Sequence, residues 1–347
     1  MKQMEILVTG GTGYIGSHTA VELQLKGYDV IIVDDLSNSE AGVVDAIAEI
    51  TGTRPLFEQF DLTDPVLTAD FFSRHSGLAA VIHFAAFKAV GESVEHPLNY
   101  YRNNLVSLIN ILREMETHAV PNLVFSSSCT VYGNPDRLPV SEEAPVKQAI
   151  SPYGNTKQIS EEIITDHARV SGLRAILLRY FNPIGAHDSA RIGELPIGIP
   201  NNLMPYITQT AIGQRDYLRV WGGDYNTPDG TPVRDYIHVV DLAKAHVVAL
   251  ERMLNGNMKD HTEIFNLGTG TGYSVLDVIR SFERTSGVRL NYQMMDRRPG
   301  DVEQVWADPK KANEELGWTA ERSLDDMTLS AWKWEQAIAK RNLKQNG

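Results

Sequence analysis

The stretch VTGGTGYIGSH (8–18) follows a short apolar run, leads into a helical pattern, and carries three evenly spaced glycines: Gly10, Gly13 and Gly16. Glycines let the main chain approach a pyrophosphate closely, and the free N–H groups of a helix N-terminus favour negative charge. Asp34 ends the next apolar run, where a carboxylate binds the adenosine ribose and repels a 2′-phosphate. The pattern predicts a strand, loop and helix that bind NAD rather than NADP, with Asp35 as the alternative acid.

Short apolar runs alternate with helical patterns through the first half of the chain. The predicted strands cover 5–10, 29–35, 79–86, 122–128 and 175–181, and the predicted helices cover 14–27, 99–117 and 151–171. Because the strand segments are apolar throughout rather than alternating, they favour a parallel sheet that is covered on both faces. The predicted fold class is therefore α/β, with a Rossmann-type doubly wound parallel sheet.

The composition changes at Asn182, after which proline, glycine and asparagine become frequent and WGGDYNTPDGTPVRDY (221–236) has the character of a long loop. We predict an NAD-binding Rossmann domain at 1–181 and a smaller substrate-binding region at 182–347. Strand and helix patterns reappear in that region, and some of these elements are expected to return to the main sheet. The segment GTGTG (268–272) also follows a predicted strand, but position 273, where Gly-x-Gly-x-x-Gly needs its third glycine, is a tyrosine. This indicates an ordinary strand-to-helix turn, which could still flank a ligand.

Composition and charge narrow the possible partners. The 347 residues include 44 acidic and 32 basic side chains, for a formal charge of −12, which disfavours nucleic acid and anionic membranes as partners. The single cysteine, Cys129, excludes an internal disulfide and a multi-cysteine zinc site. The N-terminus resembles neither a signal peptide nor a membrane span, so we expect a cytoplasmic protein.

Histidines do not point to a metal. His187 and His238 lack metal-ligand spacing, so no metal is predicted. His83 lies on a predicted buried strand and is interpreted as a core histidine with a hydrogen-bond partner. Tyr100 and Tyr101 are interpreted as packing residues.

The segment SPYGNTK (151–157) begins with a helix cap and a proline suited to the first turn. Tyr153 and Lys157 then share one helix face. An isolated pair of this kind indicates only packing and a solvated lysine. Beside bound NAD it predicts a base, because a neighbouring cation lowers the pKa of a phenol, which must fall by about three units to ionise near neutral pH. The run FSSS (125–128) ends a predicted strand and supplies hydroxyls at the same sheet edge.

The glycine loop, Asp34, the serine run and Tyr-x-x-x-Lys occur in an order that resembles the extended short-chain dehydrogenase/reductase family. Further segments resemble the UDP-glucose (UDP-galactose) 4-epimerases within it: HFAAFKAVGESV, SSSCTVYG, LRYFNPIGAH, GIPNNLMPY, GTPVRDYIHV, NLGTG and RRPGD. This resemblance spans nearly the whole chain. It implies an NAD-dependent isomerase that oxidises a UDP-hexose at C4, lets the 4-keto sugar turn over, and reduces it on the opposite face. It also implies a homodimer formed through the helices at 99–117 and 153–170.

The resemblance further implies roles for single residues. Tyr153 would be the base, Lys157 its tuner and a ribose ligand, and Ser128 the hydroxyl that bonds the sugar O4. The implied NAD ligands are Gly10, Gly13, Tyr14, Ile15, Gly16, Asp34, Asp61, Leu62, Phe84, Ala85, Lys88, Asn103, Tyr153 and Lys157. The implied ligands of the UDP-sugar are Ser128, Asn182, Asn202, Leu203, Arg234, Arg298, Asp301 and Val305. The two arginines suit a diphosphate in an otherwise acidic protein, with Arg297 as the alternative to Arg298.

Two alternatives and one specificity hypothesis follow. Nucleotide-sugar 4,6-dehydratases resemble this chain in the glycine loop and in Tyr-x-x-x-Lys, but they carry Asp-Glu just before VYG, where this chain has Cys129 and Thr130. A non-catalytic NAD-sensing protein tends to lack the Tyr-x-x-x-Lys pair. In 4-epimerases resembling this chain, a tyrosine at the position of Val305 goes with enzymes confined to UDP-glucose and UDP-galactose. The smaller valine therefore implies activity on UDP-N-acetylglucosamine and UDP-N-acetylgalactosamine as well.

Overall fold

The computed structural model describes residues 4–297 and 302–345. The strands are β1 (Glu5–Thr9), β2 (Asp29–Asp34), β3 (Leu56–Gln59), β4 (Leu78–His83), β5 (Asn122–Ser128), β6 (Arg174–Tyr180), β7 (Asn182–Ile184), β8 (Leu218–Trp221), β9 (Val233–His238), β10 (Thr262–Leu267), β11 (Gly272–Ser274), β12 (Tyr292–Met295) and β13 (Gln304–Val305). The helices are α1 (Tyr14–Leu25), α2 (Gly42–Thr51), α3 (Pro65–Arg74), α4 (Val90–Glu95), α5 (Pro97–Thr117), α6 (Pro152–Val170), α7 (Leu203–Ala211), α8 (Val239–Leu254), α9 (Val275–Ser286) and α10 (Leu324–Gln345). A 3₁₀ turn spans Cys129–Tyr132 and a π-helical turn spans Ala312–Leu316.

The main sheet has the strand order β3-β2-β1-β4-β5-β6-β10, and every neighbouring pair in it is parallel. This order confirms the predicted Rossmann-type α/β fold, in which the chain runs outward from β1 in both directions. The last strand, β10, comes from the C-terminal half and pairs with β6 from Thr262 opposite Ala175. An element of the second half therefore does return to the main sheet.

Burial on both faces explains why the central strands are apolar throughout. Successive side chains of a strand point to opposite faces. One face is lined by Ile6, Val8, Ile32, Ile82, Val124 and Ile176. The other is lined by Leu7, Ile31, Val33, Val81, Leu123 and Leu177.

The C-terminal region has its own apolar cluster and small sheets. Residues of α7, α9, α10, β8 and β9 pack together around Ile207, Phe282 and Met327. Strand β9 pairs with β7, β11 and β13, while β8 pairs with β12. The expectation of one long loop at 221–236 was wrong at its end, because Val233 already begins β9. Arg234 and Asp235 interrupt the apolar pattern of β9, so the sequence did not indicate a strand there.

Within residues 4–297 and 302–345, no helix is long and apolar enough to cross a membrane. The same residues contain no group of three or more histidine, cysteine or acidic side chains arranged to hold a metal ion.

Candidate active site

The glycine loop joins β1 to α1 and leaves no room for side chains. Gly10 has a φ of +66°, and a Cβ built there would lie 2.8 Å from the main-chain nitrogen of Ala85. At Gly16 a Cβ would lie 2.3 Å from the carbonyl oxygen of Gly10. Gly13 precedes α1 without a side-chain cap, so a ligand can take the first N–H groups of the helix. Tyr14 and Ile15 form the first turn of α1, and the Tyr14 hydroxyl donates to the Gly185 carbonyl at 2.7 Å.

Asp34 ends β2 against this loop. One carboxylate oxygen accepts a hydrogen bond from the Thr12 N–H at 3.1 Å, and the other accepts bonds from the Leu36 N–H at 3.0 Å and the Ser39 hydroxyl at 3.1 Å. Asp35 is exposed, and its carboxylate accepts from Ser37 instead. The structure therefore connects Asp34, rather than Asp35, to the glycine loop.

The segment after β4 closes the other side of the loop. Ala85 lies beside Gly10, and the Phe84 N–H donates to the Thr9 carbonyl at 3.1 Å. His83, just before them, is buried and bonds the Thr9 hydroxyl at 2.8 Å through Nδ1. Burial lowers the pKa of His83 to about 3, so it is a neutral core residue, as expected.

The other proposed NAD ligands occupy different environments around this edge. Leu62 is buried, and its carbonyl accepts from the Asn110 amide at 2.9 Å. Asp61 is exposed and accepts from the Thr63 N–H. Asn103 on α5 donates to the Asn104 side chain at 3.0 Å. Lys88 Nζ lies 5.9 Å from the centroid of the Tyr14 ring, close to the start of α1.

Ser128, Tyr153 and Lys157 meet beyond the carboxyl end of β5. Ser128 is the last residue of that strand, and Tyr153 lies in the first turn of α6, which Ser151 caps by accepting from the Gly154 N–H at 3.1 Å. The Ser128 side chain lies close enough to Tyr153 to lower the pKa of its phenol. Lys157 Nζ lies 6.0 Å from the centroid of the Tyr153 ring. The structure thus brings together the three residues predicted to be catalytic.

The protonation of this group differs from the expectation. Burial raises the pKa of Tyr153 to about 12, and the Ser128 side chain only partly offsets it. Burial also lowers the pKa of Lys157 to about 8, although Glu161 acts in the opposite direction. The expected lowering of the Tyr153 pKa is therefore not produced by the protein chain itself. Desolvation of the phenol is the largest influence on this pKa, and the Cys129 thiol acts in the same direction.

A buried ion pair lies beneath these residues and was not predicted. Glu161 accepts two hydrogen bonds from the Arg179 guanidinium, at 2.9 and 2.5 Å, and a third from the Ser127 hydroxyl at 2.5 Å. Its position one helical turn after Lys157 was the available signal. The pair connects α6 to β5 and β6 directly behind Ser128.

Arg234 and Val305 face each other across the strands β9 and β13. Arg234 Nη1 donates to the Val233 carbonyl at 2.9 Å and approaches the Glu303 carbonyl at 3.4 Å. Val305 is 9% exposed and belongs to a cluster that includes Phe181 and the partly buried Cys129. Asn182 follows Phe181 and begins β7. The Val305 side chain therefore lies close to the chain segment that leaves Ser128.

Asp235 holds this region in place and was also missed from the sequence. Its carboxylate is fully buried and accepts hydrogen bonds from the Thr269 N–H and hydroxyl, the Gly270 N–H and the Ala307 N–H, at 2.7 to 3.1 Å. The GTGTG segment is thus a turn held against β9, but its last residue already begins the short strand β11, so a strand lies between this turn and α9. An acid directly beside Arg234 was the only local signal.

Asn202 and Leu203 begin α7. The Asn202 amide donates to Glu194 Oε1 at 2.5 Å, and Leu203 packs against the C-terminal apolar cluster. Arg298 and Asp301 lie outside the described residues. The alternative cation, Arg297, donates to Asp224 at 2.7 Å, and its guanidinium lies 4.1 Å from the centroid of the Tyr225 ring.

Known proteins similar to this chain include one family model and many UDP-glucose 4-epimerases. Residues 7–330 match a family model described as GDP-mannose 4,6 dehydratase. The UDP-glucose 4-epimerase of Bacillus subtilis (strain 168) is 52% identical over 335 residues, which cover 96% of this chain and 97% of that protein.

Two solved structures are similar over the whole fold. The crystal structure of UDP-glucose-4-epimerase from Stenotrophomonas maltophila with bound NAD and formylated UDP-arabinopyranose has a TM-score of 0.94 and 49% identity, covering 98% of this chain and 100% of that one. The UDP-glucose 4-epimerase from Bifidobacterium longum in complex with NAD⁺ and UDP has a TM-score of 0.92 and 46% identity, covering 97% and 99%. The chain therefore belongs to the UDP-glucose 4-epimerase family of the extended short-chain dehydrogenases/reductases.

Proposed function

We propose that this protein interconverts UDP-glucose and UDP-galactose, using tightly bound NAD that is returned unchanged. One observation carries the proposal: Tyr153 and Lys157 lie one turn apart on α6, with Lys157 Nζ 6.0 Å from the centroid of the Tyr153 ring, and Ser128 ends the neighbouring strand β5. Relatives about 50% identical carry the name UDP-glucose 4-epimerase. Solved neighbours contain NAD together with UDP or a UDP-sugar.

The residues around the glycine loop fit NAD. The loop is a cradle that a Cβ at Gly10 or Gly16 would fill, and Asp34 is held beside it as an acceptor. We assign the cofactor to Gly10, Gly13, Tyr14, Ile15, Gly16, Asp34, Asp61, Leu62, Phe84, Ala85, Lys88, Asn103, Tyr153 and Lys157. Bound NAD would accept a hydride from C4 of the hexose and later return it.

Within the site, Tyr153 would take the proton of the 4-hydroxyl and give it back after the sugar has turned. Its raised pKa means that it needs added positive charge, which Lys157 and an oxidised nicotinamide supply together. Ser128 would bond O4 and hold it near the phenol. Because the same base must serve both faces of the sugar, the hexose must be held less tightly than the nucleotide.

The tighter contacts would be those to the UDP part of the substrate. We assign it to Asn182, Asn202, Leu203, Arg234, Arg298 and Asp301. Arginine suits a diphosphate because its planar guanidinium forms paired charge-assisted hydrogen bonds. Fixed cations are also needed because the chain carries a formal charge of −12. We accordingly divide the chain into an NAD-binding domain at 1–181 and a UDP-sugar-binding region at 182–347, with β10 returning to the main sheet.

A homodimer through α5 and α6 is also proposed. The side chains of Leu98 and Val170 are 80% and 85% exposed, and Ile109 on α5 is 47% exposed. Exposed apolar residues on adjacent helices suit burial against a second copy. Light scattering of the wild type and of Ile109→Glu tests this, since the variant should be shifted toward monomer. A cytoplasmic location remains part of the proposal.

Dehydratase chemistry is the second candidate, because the matching family model bears a dehydratase description. Elimination needs an acid and a base, and the two positions used for them in dehydratases hold Cys129 and Thr130. Burial raises the pKa of the Cys129 thiol to about 12, and a threonine hydroxyl has no accessible proton equilibrium near neutral pH. The epimerase is therefore the better supported function. A purely NAD-sensing role would leave the Tyr153, Lys157 and Ser128 group without a purpose.

We further propose that UDP-N-acetylglucosamine and UDP-N-acetylgalactosamine are substrates, because the small Val305 side chain lies in the cluster next to Cys129. Incubation with UDP-galactose and chromatographic identification of the product tests the main activity. UDP-glucose is the expected product, whereas a 4-keto-6-deoxy sugar would establish the dehydratase. An unchanged substrate, with NAD present in the absorbance spectrum, would support the sensing role.

A further inference from the structure

Glu194 lies between the two groups of residues assigned above to NAD and to UDP. It precedes α7 in the loop that carries Asn202, and its side chain is 11% exposed. Carboxylate oxygen Oε1 accepts the 2.5 Å hydrogen bond from the Asn202 amide. The same oxygen lies 3.5 Å from Lys88 Nζ. One carboxylate thus contacts a residue from each half of the proposed site.

The main chain at this position is held firmly. The Glu194 carbonyl accepts a hydrogen bond from the Trp334 indole at 2.9 Å. A Cβ on Gly193 would lie 2.5 Å from the same ring, so only glycine allows this approach. The carboxylate is therefore presented from a fixed point rather than from a free loop.

The Glu194 carboxylate connects a cation on one side, Lys88, with an amide on the other, Asn202. Lys88 is half exposed and also lies over the Tyr14 ring at the start of α1. The second oxygen, Oε2, is buried and has no hydrogen-bond partner among residues 4–297 and 302–345. A buried carboxylate needs hydrogen-bond donors or cations around it. Here Lys88 and Asn202 supply them, and both lie against Oε1. Moving either donor would disturb the other.

We propose that Glu194 is a positioning residue that couples the NAD side of the site to the UDP side by holding Lys88 and Asn202 together. This inference rests on the proposed function. A carboxylate near two diphosphates would repel them if it acted alone. Paired with Lys88, it instead fixes the Asn202 amide where the nucleotide binds, and this preorganisation strengthens binding. Binding of UDP should then depend jointly on Lys88 and Asn202.

The experiment measures binding of UDP, which is not turned over, to the NAD-containing protein by calorimetry. Glu194→Gln keeps an acceptor for Asn202 but loses the charge that faces Lys88, and Glu194→Ala loses both. We expect about tenfold weaker binding of UDP to Glu194→Gln and a larger loss for Glu194→Ala, the scale of one hydrogen bond to a charged group. A matched control is Glu335→Gln, because Glu194 and Glu335 both line one cavity of about 330 Å³, but Glu335 bonds Thr208 and Gln214. It should change binding by less than about twofold.

A double-mutant cycle separates coupling from a general structural effect. Lys88→Met and Asn202→Ala should be non-additive for UDP affinity when Glu194 is present, by about fivefold, and additive in the Glu194→Gln background. Wild-type affinity in Glu194→Gln, tighter binding, or coupling that persists without the carboxylate would overturn the inference. Thermal unfolding of each variant checks folding, and Glu194→Asp replaces any variant that does not fold. Failure of the wild type to bind UDP or to convert UDP-galactose would instead contradict the proposed function.

Discussion

Lys157 Nζ donates a hydrogen bond of 2.6 Å to the main-chain oxygen of Ser126. This bond fastens α6 to β5 two residues before Ser128, so the register between the helix and the strand is fixed at the proposed site. Lys157 Nζ also lies 4.8 Å from the centroid of the Phe125 ring. Lys157 therefore has a structural role in addition to its proposed chemical one, and substitutions must be chosen to separate the two.

Tyr153→Phe tests the proposed base. Phenylalanine preserves the ring that packs in the first turn of α6 and removes only the ionisable oxygen. We expect turnover of UDP-galactose to fall by about 10²- to 10⁴-fold, the usual contribution of a positioned base, while NAD stays bound. Steady-state rates and the absorbance of the released cofactor measure both effects. A loss of less than about tenfold would count against the base role.

From the position of Asp34 we predict that the bound cofactor is NAD rather than NADP. Because its carboxylate would repel a 2′-phosphate, denaturation of the purified protein should release NAD or NADH and not the phosphorylated forms. Asp34→Asn should weaken retention of NAD by about tenfold, the scale of a charge-assisted hydrogen bond, whereas Asp35→Asn serves as the matched control and should retain it. Mass spectrometry of the released nucleotide gives the answer. Recovery of mostly NADP would show that this assignment is wrong.

The burial of Lys157 also leads to a prediction of how the free energy of unfolding depends on pH. Below pH 8 the amine is protonated in both the folded and unfolded protein, so the cost of burying its charge is fully present. As the pH rises from about 8 to 10.5, the folded form loses its proton first, and the free energy of unfolding attributable to this residue increases by about 3 kcal/mol. Lys157→Met lacks this increase. Urea unfolding of both proteins at pH 7 and pH 10 measures the difference.

The control for this measurement is Lys333→Met, because Lys333 is exposed on α10. Its stability relative to the wild type should be the same at both pH values. If Lys157→Met behaves like Lys333→Met, the Lys157 amine keeps its proton in the folded protein up to pH 10, which contradicts the prediction.

Local sequence patterns identified the centre of the main sheet but not its edge strand β3 (Leu56–Gln59), which no predicted strand covered. Continuous apolar runs identified β1, β2, β4, β5 and β6, because strands buried on both faces have no polar alternation. Strand β9 was missed since Arg234 and Asp235 interrupt its apolar pattern. The glycine loop and Asp34 were recognisable from the sequence because only one helix and one strand, α1 and β2, separate them along the chain.

The residues that hold the site together were not predictable in the same way. Glu194, Glu161 and Asp235 act through partners far away in the chain, such as Lys88 for Glu194. Their side chains would be unremarkable on a protein surface, and only the fold makes them buried acceptors. The rise in the pKa of Tyr153 could not be predicted from the sequence either. The motif shows the neighbouring lysine, but only the fold shows that the phenol is buried.

Val305→Tyr tests the proposed range of substrates. Val305 is paired with Arg234 and packs in the cluster that contains Phe181 and Ala307, so a tyrosine ring would have to extend beyond that cluster, and we expect it to take the room that the 2-substituent of the hexose needs. We expect the variant to lose most of its activity on UDP-N-acetylgalactosamine while its rate with UDP-galactose changes by only a few fold. Competition assays with both substrates in one reaction give the ratio of kcat/KM directly.

Val305→Ala provides the opposite control, because it enlarges the same space and should keep the activity on the N-acetylated sugar. The competing possibility is that neighbouring side chains collapse into the space beside Val305, as cores do in part after large-to-small changes. In that case the wild type would epimerise UDP-galactose well and leave UDP-N-acetylgalactosamine unchanged, and Val305→Tyr would be disruptive for both sugars because of overpacking. That combination of results would show that valine at this position does not widen the pocket.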